Sequence, residues 1–131
     1  MPNKAYAREW LAFARRHLET ATLLYEANHY GDVIVIEAQQ AMEKSLKALL
    51  APDNVKIPRS HDLGEIAALL QARLSFREEK KSLLERATDY YQEDRSPNPR
   101  YSLPSEEEVE RILVFARQLH EQVVELVETA G

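Results

Sequence analysis

Apolar residues recur three and four positions apart through most of this chain, which is the spacing of one face of an α-helix. No segment shows a sustained alternation of apolar and polar residues, and only 3 of the 131 residues are glycine. A β-rich fold needs both the alternation and many tight turns. The sequence therefore predicts an all-α fold, an antiparallel up-and-down bundle of four to five helices in a single domain over residues 1–131.

The apolar spacing divides the chain into five helical segments. Their ends are set by prolines, by turn-forming residues and by polar residues that can cap a helix. Either Ser60 or Asp62 can cap the third segment, and Ser105 begins a capping box. We predict helices over Lys4–Ala27, Asp32–Ala51, Ser60–Ala72 and Arg77–Glu93, and a fifth that begins at Ser105.

The second predicted helix has two unlike halves. Its first half, Val33–Ile36, is apolar on all sides, which indicates either a central helix or a dimer interface. Its second half is amphipathic, and Glu43 and Lys47 on the polar face form an i,i+4 pair in the favourable order. Such a pair contributes roughly 0.2–0.5 kcal/mol when it is exposed. From the first half we expect the protein to form a homodimer.

Composition excludes several classes of protein. The chain has no cysteine, so disulfides, thiol nucleophiles and cysteine zinc sites are excluded, and a reducing cytoplasm is the expected location. The net charge of -5 argues against a broad nucleic-acid-binding face, although a local basic patch stays possible. No uncharged apolar run approaches the roughly 18 residues of a membrane span, and we expect no membrane association.

The histidines do not form a recognisable metal site. A di-iron bundle needs two Glu-x-x-His motifs, and only Glu26–His29 has that spacing. His61-Asp62 is similar to the HD dipeptide of metal phosphohydrolases, but a helix start explains it more simply. We therefore expect no metal and no cofactor. His17 or His120 as a phosphocarrier histidine is an alternative that nothing in the sequence selects.

A proline-rich segment, Arg95–Pro104, carries two arginines and a tyrosine close to the Tyr90-Tyr91 pair. Arginine offers a planar fork that suits phosphate, and tyrosine offers a face on which a base can stack. The alternative is that the arginines pair with neighbouring carboxylates, because the same fork suits both groups. The candidate residues for binding a phosphate or nucleotide are Arg95, Arg100, Tyr101, Tyr91 and His61.

Several motifs, taken in order, resemble the HEPN domain family (higher eukaryotes and prokaryotes nucleotide-binding). The most specific is Gln40–Leu49, which resembles the family's helix Gln-Ala-x-Glu-Lys-x-Leu-Lys-Ala. The others are Trp10-Leu11 in the first helix, the turn Tyr30-Gly31-Asp32, the helix start Ser60–Leu63, and Tyr90-Tyr91 followed by Arg95.

This resemblance implies a helical bundle that often forms homodimers. Many family members act with a minimal nucleotidyltransferase, commonly as toxin–antitoxin pairs. Others are metal-independent ribonucleases with an Arg-x4–6-His site at the dimer interface. In that site the arginine would stabilise charge on the phosphate, and the histidine would move a proton for attack by a 2′-hydroxyl.

This chain departs from the family at the ribonuclease motif. Arg95 matches the motif arginine, but Arg100 stands where a histidine is expected, and no histidine occurs between Arg95 and His120. Arginine stays protonated and cannot act as a general base. The first hypothesis is therefore a non-catalytic domain that binds a nucleotide or partners a nucleotidyltransferase. The alternatives are a ribonuclease that uses His61 or Tyr101 for proton transfer, and a helical adaptor without a ligand.

Overall fold

The computed structural model describes residues 4–51, 56–93 and 103–129, and within these ranges it contains five helices and no strand. None of the five is both long and apolar enough to cross a membrane. The all-α prediction is confirmed. The helices are α1 (Lys4–Glu26), α2 (Gly31–Leu50), α3 (Leu63–Ala68), α4 (Glu78–Glu93) and α5 (Glu106–Thr129).

Contacts near both ends of the helices establish the topology. Arg8 of α1 pairs with Glu128 at the end of α5, whereas Arg117, nearer the start of α5, donates to the Thr22 hydroxyl. The two helices are therefore antiparallel. Equivalent contacts relate the other neighbours: Trp10 to Lys47 and His17 to Glu37 between α1 and α2, and Lys80 to Phe115 and Arg86 to Glu108 between α4 and α5.

Helix α2 is the central element, because it packs against each of the other four helices. In its first half Ile34 and Val35 are buried, while Val33 and Ile36 are partly exposed. The central position of the helix accounts for the apolar character of this half within one protomer. The dimer that we expected from the same stretch stays a prediction.

Two of the predicted capping residues, Asp62 and Ser105, are confirmed. Asp62 Oδ1 accepts hydrogen bonds from the backbone N–H groups of Gly64 and Glu65, at 2.9 and 3.2 Å. Ser105 Oγ accepts one from the N–H of Glu108 at 3.1 Å. Each cap satisfies N–H groups that have no partner within the helix.

The predicted range of α3, Ser60–Ala72, is too long at both ends. Asp62 is the capping residue, so the helix begins only at Leu63. It ends at Ala68 because the backbone tightens to i,i+3 bonds, with the Leu69 N–H donating to the Ile66 carbonyl. The apolar spacing continues through the following turn, where Leu70 and Leu74 are buried. In this turn the spacing therefore indicates burial rather than helix.

The start of α2 lies very close to α5. A Cβ atom on Gly31 would stand 2.9 Å from Val109 Cγ2, nearer than such atoms approach each other. Glycine is required here for space, since no side chain fits between the two helices. This contact fixes the first turn of α2 against the first turns of α5.

Candidate functional site

A buried carboxylate lies at the centre of the most polar region of the interior. Only 2% of Glu43 is exposed, and its two oxygens have different partners. Lys47 Nζ lies 3.0 Å from Oε2, and His61 Nδ1 lies 2.9 Å from Oε1. We refer to Gln39, Glu43, Lys47 and His61 together as the Glu43 cluster.

The partners of Glu43 keep it ionised. Burial raises the pKa of this carboxyl, because a charge loses its hydration in the interior. The hydrogen bonds from His61 and Lys47, with the positive charge of Lys47, outweigh burial, and the net pKa lies below its usual value. At neutral pH Glu43 is therefore a charged acceptor for Lys47 and His61, and the Gln39 and Gln40 amides donate longer bonds to Oε1, at 3.5 and 3.4 Å.

The sequence predicted the Glu43–Lys47 pair, but on the polar face of its helix. The pair forms at the expected i,i+4 spacing, whereas only 4% of Lys47 is exposed. The expectation of a polar face was wrong because His61, just before α3, and Trp10 of α1 lie against this half of α2. The small free energy of an exposed pair does not apply to a buried one.

Amide side chains hold the backbone beside His61. Gln39 Nε2 donates to the His61 carbonyl oxygen at 2.8 Å, and Gln40 Nε2 donates to Gln39 Oε1 at 2.6 Å. Lys44 Nζ then donates to Gln40 Oε1 at 2.8 Å, and burial lowers the pKa of this lysine. The chain of bonds fixes the His61 main chain, while Glu43 fixes its ring.

Helix α4 places an aromatic ring against His61. The ring centroids of His61 and Tyr91 are 5.3 Å apart, at an interplanar angle of 49°. Thr88, one turn earlier, accepts a hydrogen bond from the Leu63 N–H at 3.1 Å and so ties α4 to the start of α3. The His61 side chain is 44% exposed. The site therefore has an imidazole and a phenol ring at the surface. The buried Glu43–Lys47 ion pair lies beneath them.

The cluster also reaches α1. The Nζ atom of Lys47 lies 5.8 Å from the ring centroid of Trp10, the one tryptophan of the chain. A cation over the face of an indole is attracted by the electron density of the ring. A change at His61 that moves Glu43 and Lys47 therefore also changes the surroundings of the tryptophan.

The hydrogen bond to Glu43 decides what His61 can do. With a proton on Nδ1 shared with the carboxylate, a neutral imidazole keeps the lone pair of Nε2 for a second group. No residue of the described segments pairs with Nε2. The ring can accept a proton there, or donate one to a phosphate oxygen when it is charged. Lys47 is buried and paired with Glu43, so it is not available to bind a ligand at the surface.

Comparison with known proteins now identifies the family. The model of the HEPN domain matches residues 7–127. The chain belongs to the HEPN domain family. Its fold is similar to the crystal structure of TT1696 from Thermus thermophilus, with a TM-score of 0.76, 25% sequence identity, and coverage of 95% of this chain and 98% of that one. No curated protein matches the chain significantly.

Two of the motifs that suggested the family therefore supply the polar interior. The helix Gln40–Leu49 supplies Glu43 and Lys47, and the start Ser60–Leu63 supplies His61. Of the five predicted binding residues, His61 and Tyr91 lie side by side. The other three, Arg95, Arg100 and Tyr101, lie outside the described residues.

Sequence reasoning missed the residues beneath the site. Gln39, Glu43 and Lys47 are spaced by four, so they share one side of α2, and that spacing was the available signal. Neither of the two histidines considered as phosphocarriers is an exposed residue without contacts. His17 pairs with Glu37 at 2.9 Å, and burial lowers the pKa of the half-buried His120.

Proposed function

We propose that this HEPN domain binds a phosphate-bearing ligand, a nucleotide or a stretch of RNA, at the His61–Tyr91 surface without cleaving it. We further propose that it acts with a nucleotidyltransferase. The observation that carries the proposal is the bond between Glu43 and His61 Nδ1 at 2.9 Å. It holds the imidazole beside the Tyr91 ring with Nε2 available.

The chemistry of the neighbouring sequence supports a phosphate ligand. Arg95 and Arg100 follow Tyr91 by four and nine residues, and guanidinium groups bind phosphate oxygens in pairs. A tyrosine ring beside an imidazole can stack on a base. The net charge of -5 limits such binding to a local site.

The absence of a motif histidine supports binding without cleavage. Arg100 occupies the place where ribonucleases of the family have their proton-transfer histidine, and arginine stays protonated. The nucleotidyltransferase partner is proposed from the family, many of whose members act with one. Recovery of a nucleotidyltransferase by the native tagged protein from its own cells tests that part.

Binding can be measured through the natural tryptophan. Trp10 contacts Lys47, so titration with adenine and guanine nucleotides and with a short single-stranded RNA should change its fluorescence. His61→Ala should abolish the change. His29→Ala is the matched control, because His29 is an exposed histidine on the turn before α2. If neither ligand binds and no nucleotidyltransferase is recovered, the adaptor hypothesis replaces this one.

A second function is favoured by the same bond. A histidine whose Nδ1 is held by a buried carboxylate is the arrangement of a general base in hydrolases. On this hypothesis Arg95 stabilises the phosphate, and His61 takes the proton of the 2′-hydroxyl. Incubation with single-stranded RNA decides between the two. Cleavage that is lost in both Arg95→Ala and His61→Ala makes the protein a ribonuclease, and intact RNA that is nevertheless bound supports the first proposal.

A further inference from the structure

The surface beside the Glu43 cluster continues onto helix α1. Trp10 of α1 contacts Lys47 of α2. Two turns later along α1, His17 contacts Glu37. Phe13 is three residues after Trp10 and four before His17, so it lies on the same side of α1 and between these two contacts. We name as the α1–α2 seam Phe13, Arg16, His17, Glu37, Gln40 and Lys44.

The seam contains an ammonium group without a close counter-charge. Lys44 is partly buried, and its Nζ donates to the neutral Gln40 amide oxygen at 2.8 Å. It forms no salt bridge with any carboxylate that the structure describes. Glu37 and Glu43 attract it from a longer distance, but each is bonded to a histidine. A partly buried cation in these surroundings can gain free energy from an external phosphate oxygen.

The seam also contains an aromatic ring that is open to solvent. Phe13 is 50% exposed, and the Cζ atom of Arg16 lies 5.0 Å from the centroid of its ring. Single-stranded nucleic acids place bases on aromatic rings and on guanidinium planes, and their phosphates bind cations. The seam therefore offers both kinds of contact that a single strand makes.

Hydrogen bonds join the seam to the His61–Tyr91 surface. Lys44 donates to Gln40, Gln40 donates to Gln39, and Gln39 donates to the His61 carbonyl oxygen, at 2.8, 2.6 and 2.8 Å. The two surfaces are therefore neighbours, and each combines a group that can bind phosphate with an aromatic ring. A mononucleotide has one base, whereas a strand has a base and a phosphate for each surface.

We propose that the ligand of this domain is a single strand of RNA several nucleotides long, and that the α1–α2 seam binds the nucleotides next to the one at His61 and Tyr91. This inference rests on the proposed function and narrows its ligand from nucleotides in general to a strand. Lys44 binds a phosphate of the strand, and a base stacks on Phe13 and Arg16.

The length of the ligand provides the first test. Isothermal titration calorimetry compares adenosine monophosphate with a single-stranded oligoadenylate of about eight nucleotides, a length within the usual site size of such proteins. The oligonucleotide should bind roughly a hundredfold more tightly, because it adds a stacked base and a bound phosphate. Eight equivalent nucleotides alone would give a statistical gain of only about eightfold.

Two variants test the contacts of the seam. Phe13→Leu keeps an apolar side chain without a ring, so it should weaken binding of the oligonucleotide roughly tenfold and leave binding of the mononucleotide unchanged. Tyr30→Leu, at an aromatic residue that is 69% exposed on the turn before α2, is its matched control. Lys44→Gln should lower the slope of log affinity against log salt by about 0.7, the value for one phosphate contact on a single strand. Lys81→Gln, an exposed lysine of α4, is the control for loss of charge.

The outcomes separate this inference from the function on which it rests. Mononucleotide binding that requires His61, without tighter binding of the oligonucleotide, overturns the inference and leaves the proposed function in place. An unchanged oligonucleotide affinity in Phe13→Leu also overturns it, as does an unchanged salt slope in Lys44→Gln, once circular dichroism has established that each variant is folded. If neither ligand binds, both the inference and the proposed binding function fail.

Discussion

Composition predicts that the first half of α2 is the more buried, but in the structure the second half is the more buried. The first half is apolar on all sides, yet Val33 and Ile36 remain partly exposed. The second half carries glutamine, glutamate and lysine, yet Gln39, Glu43 and Lys47 are almost completely buried. The difference follows from contacts with other parts of the chain, since His61 and Trp10 lie against Glu43 and Lys47 in the second half. A polar helix face predicts exposure to solvent only when no other part of the chain can provide hydrogen-bond partners for its polar groups.

The second half tolerates burial because its polar groups bond to one another. Glu43 accepts from Lys47 and His61, and Gln39 binds the main chain of His61. The Ser45 hydroxyl donates to the Ala41 carbonyl within the helix at 2.8 Å. Buried groups that are all paired cost little, whereas removal of one partner leaves the other without solvation.

The largest expected effect follows from breaking the buried pair. Glu43→Gln keeps the shape of the side chain but leaves the Lys47 ammonium buried without a counter-charge. We expect the free energy of unfolding to fall by about 3–5 kcal/mol, measured by urea denaturation. The double variant Glu43→Gln with Lys47→Met removes both charges and should recover most of that loss. A single variant as stable as the native protein would show that the pair is dispensable.

At the first half of α2, the free energy of unfolding should depend on side-chain volume rather than on charge. Gly31→Ala places a Cβ atom 2.9 Å from Val109 Cγ2, and we expect a loss of about 1–3 kcal/mol of unfolding free energy from overpacking. Val109→Ala in the same chain makes room for the new atom. The two changes should therefore be strongly non-additive in a double-mutant cycle. Simple additivity would mean that the two helices separate freely at this point.

The limits of sequence reasoning follow from the same comparison. Apolar spacing and capping residues are local signals, and they predicted the five helices and most of their ends. Burial of Glu43 depends on which helices meet around it, and α3 and α4 come from other parts of the chain. The motif Gln40–Leu49 indicated the family without showing why its polar residues are needed. The structure supplies that reason in the bonds to His61.

Acid should remove the stability that the ionised Glu43 carboxylate contributes. The folded pKa of Glu43 lies below the ordinary value of about 4.5, so its contribution to stability is fully present above that pH. The contribution is lost as the pH falls through the folded pKa. Glu43→Gln lacks this titration, whereas other carboxyls with lowered pKa, such as Glu108, are common to both proteins. The difference in unfolding free energy between the two proteins should therefore narrow below pH 4.5, and a constant difference would contradict this account.

The smallest expected effect comes from a pair with the same spacing on the surface. Arg15 Nε lies 2.8 Å from Glu19 Oε1, again at i,i+4, but the two side chains are 73% and 63% exposed. Glu19→Gln should change the free energy of unfolding by no more than about 0.5 kcal/mol, and salt should reduce even that. The two pairs have similar bond lengths, so the ratio of the losses in Glu43→Gln and Glu19→Gln measures what burial, the His61 bond and the favourable charge order add together. Equal losses, by urea denaturation at matched salt, would mean that geometry rather than burial determines the stability of such pairs in this fold.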